Sequence, residues 1–126
     1  MSVNPAELWA HAQLLPEATE ADRRAKISRS YYALYSHASL FTQSLATQGL
    51  ETSFGSGMHR KMMERLTNPS VKDDEKCNAS RQIGTKQMLA YDFRLKADYY
   101  LDEPVTVADV RKCLAYVRGG LAIPLT

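Results

Sequence analysis

The sequence predicts an all-α fold, a four- to five-helix bundle built round two long antiparallel helices. Three observations predict it. Apolar residues recur at steps of three and four along most of the chain, no segment alternates with period two, and Pro and Gly fall at intervals that leave helix-length stretches between them. With 126 residues, 44% of them hydrophobic, the chain is sized for one domain spanning 1–126 and buries a core without disulfide or metal staples.

The first helix opens at Asn4-Pro5-Ala6-Glu7, a side-chain acceptor at the N-cap, proline at the first helical position and a glutamate three residues after the cap. Leu8, His11, Ala12 and Leu15 then form its apolar edge until Pro16. A second, longest helix starts at Thr19 and meets no Gly or Pro before Gly49. Ile27, Tyr31, Leu34, Ala38, Phe41 and Leu45 make its core stripe, and Arg29, Tyr32, Ser36, His37 and Leu40 lie on an adjoining mixed face.

Gly49, Thr52, Ser53, Gly55 and Gly57 predict a loop over 49–57, followed by a short helix over 58–66 that ends before Asn68-Pro69. The spacing predicts a fourth helix over 73–99 with Cys77, Gly84, Met88, Tyr91 and Leu95 inward, where Gly84 either weakens the helix or lets a neighbour approach closely. Thr106 and Asp109 form a capping box for a fifth helix with Val110, Leu114, Val117 and Leu121 as its stripe, stopping at Gly119-Gly120.

Composition excludes several classes of function. The net charge of +2 is too mild for nucleic-acid binding as a whole-chain property, so any basic surface is local. Cys77 and Cys113 match no zinc spacing and read as free thiols in a reducing compartment, and no metal or other cofactor is expected. With neither a secretory leader pattern nor an apolar run of about 18 residues, the expected location is cytoplasmic, away from membranes. No Gly-rich phosphate loop, HExxH pair or GxSxG elbow occurs.

The most unusual stretch is 28–37, which holds Arg29, Tyr31, Tyr32, Tyr35 and His37 within three turns of helix. Arg29, Tyr32, Ser36 and His37 share a side by helical spacing, so a guanidinium, a phenol and an imidazole there suit a phosphate and a base. The competing reading makes the tyrosines core or interface residues and the histidine structural. Residues 22–29 carry net +3 through Arg23, Arg24, Lys26 and Arg29, and residues 59–65 carry net +2 beside His59 through Arg60, Lys61 and Arg65. If both line one groove, single-stranded RNA or a nucleotide fits; each cluster alone reads as a solvated helix face. Arg94 and Asp98, four apart, form an ion pair on the side that also carries Tyr91.

Two segments resemble the HEPN superfamily, small all-helical nucleotide-binding domains, in a branch of small prokaryotic members. The branch pattern Arg-Ala-Tyr-Tyr-Ala-x-Phe is matched by Arg29-Ser30-Tyr31-Tyr32-Ala33-Leu34-Tyr35, and its Arg-x-x-Ala-Asp-Tyr segment by Arg94-Leu95-Lys96-Ala97-Asp98-Tyr99. The resemblance covers about residues 20–118. It implies a HEPN-like bundle, frequently homodimeric, encoded beside a minimal nucleotidyltransferase partner in toxin–antitoxin or phage-defence modules. It also implies binding of RNA or nucleotide and, in many members, metal-independent endoribonuclease activity from an arginine and a histidine separated by four to six residues.

This sequence departs from that spacing. Tyr99, Tyr100 and Leu101 follow Arg94 where the histidine belongs, and seven residues separate Arg29 from His37. The expected endoribonuclease site therefore takes Arg29 and Arg94 for the phosphate and His37 or His59 for the proton. Tyr32, Ser36, His59, Arg60, Asp98 and Tyr99 are the expected ligand contacts. The alternative is a non-catalytic module that dimerises through the Arg29/Tyr32/Ser36 face and binds a nucleotidyltransferase.

Overall fold

The structure, a computed structural model, describes residues 3–45, 49 and 57–125. Five helices follow in order: α1 (Pro5–Leu14), α2 (Glu20–Ser44), α3 (Met58–Thr67), α4 (Asp74–Tyr99) and α5 (Val107–Leu121), with no strand among the described residues. The fold is an all-α bundle. Apart from Gly49 and Gly57, the loop expected over 49–57 lies outside the described residues.

Local chemistry sets the helix starts. Asn4 Oδ1 accepts from the Glu7 N–H at 2.9 Å ahead of Pro5. Thr19 with Asp22, and Thr106 with Asp109, each form a reciprocal pair in which side chain and backbone N–H satisfy one another. Asp73 caps α4 through the Lys76 N–H.

α4 runs antiparallel to α2. Ser28 faces Asp98 near one end, Tyr31 meets Gln87 and Tyr91 in the middle, and Ala38 and Phe41 share a core cluster with Ile83. The α2 stripe is inward as expected: Ile27, Tyr31 and Leu34 join Ala90, Ala97, Val105, Val110, Cys113 and Val117, while Ala38 and Phe41 join Leu66 and Ile83.

Three expectations are corrected. The inward face of α4 is Ser80, Ile83, Gly84, Gln87, Ala90 and Ala97, whereas Met88 is 49% exposed. Ser80, Gly84, Ala90 and Ala97 are small where neighbouring helices press close, and the bulkier Met88 is left at the surface. On α1, Ala12 and Pro5 are buried, His11 is exposed and Trp9 packs on the main core. Finally, α5 continues through Gly119-Gly120 to Leu121. Gly120 is present for closeness, because a Cβ there would stand 2.5 Å from Leu34 Cδ1. Gly84 likewise serves close approach, since its Cβ would stand 2.8 Å from Thr67 Cγ2 and 2.9 Å from Leu66 Cβ.

Most cations of 22–29 act inside the fold. Arg23 Nε donates to the Val105 carbonyl at 2.7 Å and its Nη1 to the Glu17 carbonyl at 3.0 Å. Arg24 Nη1 donates to the Lys96 and Ala97 carbonyls at 2.9 and 3.1 Å, capping the C-terminus of α4. Lys26, 5% exposed, donates to the Gln13 and Leu15 carbonyls and pairs with Glu17 at 2.8 Å. Arg29 alone of the four is exposed.

The two glycine environments predict opposite outcomes. Alanine favours a helix interior over glycine by about 1 kcal/mol, and overpacking costs about 1–3 kcal/mol. Gly119 would meet only the flexible Lys86 chain, nearest at Cε, 3.1 Å away. Urea melts are expected to show Gly119→Ala unchanged or stabilised by up to about 1 kcal/mol, and Gly84→Ala destabilised because α3 must move. A stabilised Gly84→Ala variant would contradict the α3–α4 contact.

Candidate functional site

The site forms where α2, α3 and α4 converge. α2 contributes Tyr31 and Tyr35 from adjoining turns, α3 contributes His59 and Arg60 from its first turn, and α4 contributes Gln87, Tyr91, Arg94 and Asp98 at steps of four, three and four. That spacing keeps all four α4 side chains on one helical side.

His59 is the hub. Its Nδ1 lies 2.8 Å from the Tyr31 hydroxyl, and Gln87 Nε2 donates to the same hydroxyl at 3.2 Å. The imidazole is 4.4 Å from the Tyr35 ring centre and 5.5 Å from that of Tyr91, lying nearly parallel to Tyr91 at 21°. Tyr31 and Tyr91 are themselves 5.6 Å apart, so three phenols surround one imidazole.

Guanidinium groups border this aromatic nest. Arg94 Cζ stands 6.0 Å from the Tyr31 ring centre and 5.4 Å from that of Tyr99. Asp98 Oδ2 accepts from Arg94 Nε at 2.9 Å and from the Ser28 hydroxyl at 3.2 Å, which fixes the carboxylate and through it the arginine. Arg60 Cζ lies 6.0 Å over Tyr91, at the edge of a cavity of about 320 Å³ that Met63, Glu64, Thr67, Met88 and Asp92 complete.

The electrostatics follow from burial. Desolvation pulls the His59 pKa below the ordinary imidazole range, and the neighbouring Arg94 cation acts in the same direction. Burial pushes the Tyr31 phenol well above its ordinary range, opposed in part by the Gln87 hydrogen bond. Both groups are therefore neutral near pH 7, beside a guanidinium that is always charged.

The structure thus brings together His59, Arg60, Arg94, Asp98 and Tyr99 from the sequence-based set. Tyr32 is 48% exposed at the edge, its ring 6.4 Å from Tyr35. Arg29 is exposed and has no hydrogen-bond or ion-pair partner among the described residues, and Ser36 is half-buried. His37 is buried elsewhere and donates from Nε2 to the Ile123 carbonyl at 2.7 Å, tying α2 to the segment after α5. Sequence reasoning missed Gln87, whose signal is its position one turn before Tyr91 on the Arg94 side. Among the described residues, no group of three or more His, Cys, Asp or Glu converges as a metal site, and no helix is long and apolar enough to cross a membrane. Both cysteines are free.

Comparison of the chain with protein-family models, with curated proteins and with solved structures gives no match.

The depressed His59 pKa makes stability depend on pH with a definite sign. Between its folded-state value and the ordinary imidazole value of 6.5, the unfolded chain binds the extra proton, so stability rises with pH in that window. The contribution is complete above 6.5 and is lost as pH falls through the folded value. Glu17, Glu20 and Asp109 are also depressed, but from ordinary values of 4.5, 4.5 and 3.8, so their contributions fade at lower pH. Thermal melts between pH 8 and pH 5 are expected to fall less steeply for His59→Gln than for the parent chain. Parallel curves would contradict the assignment.

Proposed function

We propose that this chain is a HEPN-like module that binds RNA or a nucleotide through the α2–α3–α4 face, in a prokaryotic toxin–antitoxin or phage-defence setting. The observation that carries the reading is the meeting of His59 and Arg94 beside Tyr31, Tyr35 and Tyr91. Asp98 holds Arg94 through Nε, and the guanidinium's amino groups offer a donor fork for phosphate oxygens. Tyr32 and Tyr99, 48% and 62% exposed, offer stacking surfaces for bases, and Arg60 adds positive charge on the same side. The outer Arg29/Tyr32/Ser36 face suits a homodimer contact, with a minimal nucleotidyltransferase as the second partner.

A cleaving activity is the second reading, and a neutral imidazole beside a guanidinium favours it. In that step the RNA 2′-oxygen attacks the adjacent phosphorus as His59 takes its proton. The P–O5′ bond breaks, a solvent water protonates the departing oxygen and its hydroxide recovers the proton from His59, and a 2′,3′-cyclic phosphate remains while Arg94 neutralises charge on the phosphate.

Fluorescence anisotropy with a labelled single-stranded RNA tests the reading. A charge-assisted contact of about 1.5–3 kcal/mol makes Arg94→Ala about ten- to a hundredfold weaker than the parent chain, with a smaller salt dependence. Arg94→Lys, which keeps the charge without the planar fork, is expected to fall between them. No RNA or nucleotide binding by the folded parent chain would refute the proposal. RNA recovered intact identifies a binding module, and cyclic-phosphate ends lost in His59→Gln identify the nuclease.

A further inference from the structure

We infer that Gln87 and Tyr31 are positioning residues that hold neutral His59 with its proton on Nε2. The geometry of the hydrogen-bond chain carries the inference. Gln87 is fully buried, and its Nε2 donates to the Tyr31 oxygen at 3.2 Å. Tyr31 is 2% exposed and has a single hydroxyl proton, and His59 Nδ1 at 2.8 Å is the acceptor within reach among the described residues. If Nδ1 carried the proton instead, the Tyr31 oxygen would receive both Gln87 and His59, and its own O–H would be buried without an acceptor.

Reversing the Gln87 amide does not offer an equal alternative. In the observed orientation Nε2 bonds Tyr31 and approaches Met62 Sδ at 3.9 Å, leaving only Oε1 without a partner. Turned over, the oxygen could accept from Tyr31 but would face the thioether sulfur, and both amide N–H groups would be buried at the Oε1 position, where no partner stands. The direction of donation is therefore Gln87 to Tyr31 to His59.

The consequence deepens the proposed function and rests on it. With Nδ1 engaged and Nε2 protonated, His59 presents a second donor beside Arg94, an arrangement suited to a phosphate oxygen. Taking up a proton at Nε2 would first require the relay to reverse, so the buried pair Gln87–Tyr31 biases the site toward binding over cleavage.

Long-range proton–nitrogen correlation spectra of the histidine-labelled chain, without RNA, read the tautomer directly. The His59 signals are identified by their loss in His59→Gln. The expected result is a protonated Nε2 and an unprotonated Nδ1 in the parent chain. In Tyr31→Phe the preference should collapse toward signals averaged between the two forms, and in the milder Gln87→Leu it should weaken. A parent chain with Nδ1 protonated or already averaged overturns the inference, as does an unchanged pattern in both folded variants. Because no ligand enters the measurement, its failure is separate from a failure to bind RNA.

Discussion

The close approach of α4 to its neighbours is the constraint on which the remaining geometry depends. Ser80, Gly84, Ala90 and Ala97 leave little side chain between α4 and the helices beside it. At Gly84 the α3 backbone and side chains occupy the space a methyl group would need, and at Gly120 the same holds for Leu34 against α5. Ser80 donates to the Leu66 carbonyl at 2.6 Å, so the α3–α4 contact is tied as well as tight. Such proximity allows Gln87, a side chain of moderate reach, to bond a phenol on α2, and allows an α3 imidazole to sit between tyrosines of α2 and α4. A bundle spaced by leucines would have placed these groups too far apart for hydrogen bonds.

The polar node at its centre is costly for a core. Leucine at positions 31 and 87 would bury without asking for partners, whereas a buried phenol and a buried amide need every donor and acceptor met. Here the demand is nearly satisfied, with Gln87 Oε1 the exception within the node. The Arg94–Asp98 pair makes a similar point. An i,i+4 ion pair with side chains 22% and 27% exposed contributes a few tenths of a kcal/mol, so its principal effect is to aim the guanidinium. Buried polar groups also occur elsewhere, at Lys26 and His37, but those bond backbone carbonyls, whereas the node where α2, α3 and α4 meet joins side chains of three helices.

How much of this was legible depended on the range of the interaction. Caps act within four residues, and Asn4, Thr19 and Thr106 mark their helix starts in sequence as clearly as in space. The α2 stripe was legible because its inward residues are large and apolar. The inward side of α4 was not, because closeness selects small residues there and hydropathy points instead to Met88. Gly119-Gly120 looked like a stop because glycine ends helices far more often than it relieves crowding inside one. The Arg94–Asp98 pair could be read from spacing. The approach of His59 to Tyr31, 28 residues apart, could not, since helix packing decides it.

The same division of range explains why a net charge of +2 understates the local field. Arg23, Arg24 and Lys26 stand in a basic run, yet they point at backbone carbonyls and at Glu17 and Glu20, where their charge is spent on joining α1, α2 and the α4–α5 connection. Lys96 is likewise matched by Asp109 at 3.0 Å. Arg60 and Arg94 differ from these three in lying over tyrosine rings, which attract a cation without cancelling its charge as a carboxylate does, although Asp98 offsets part of Arg94. Arg23, Arg24 and Lys26 are thus taken up by carbonyls and carboxylates, while Arg60 and Arg94 keep charge at the α2–α3–α4 face, as Lys86 over Tyr116 and Arg118 over Trp9 do elsewhere. An anion at the α2–α3–α4 face would meet two guanidinium groups and several aromatic rings beside His59, although the net charge of the chain is only +2.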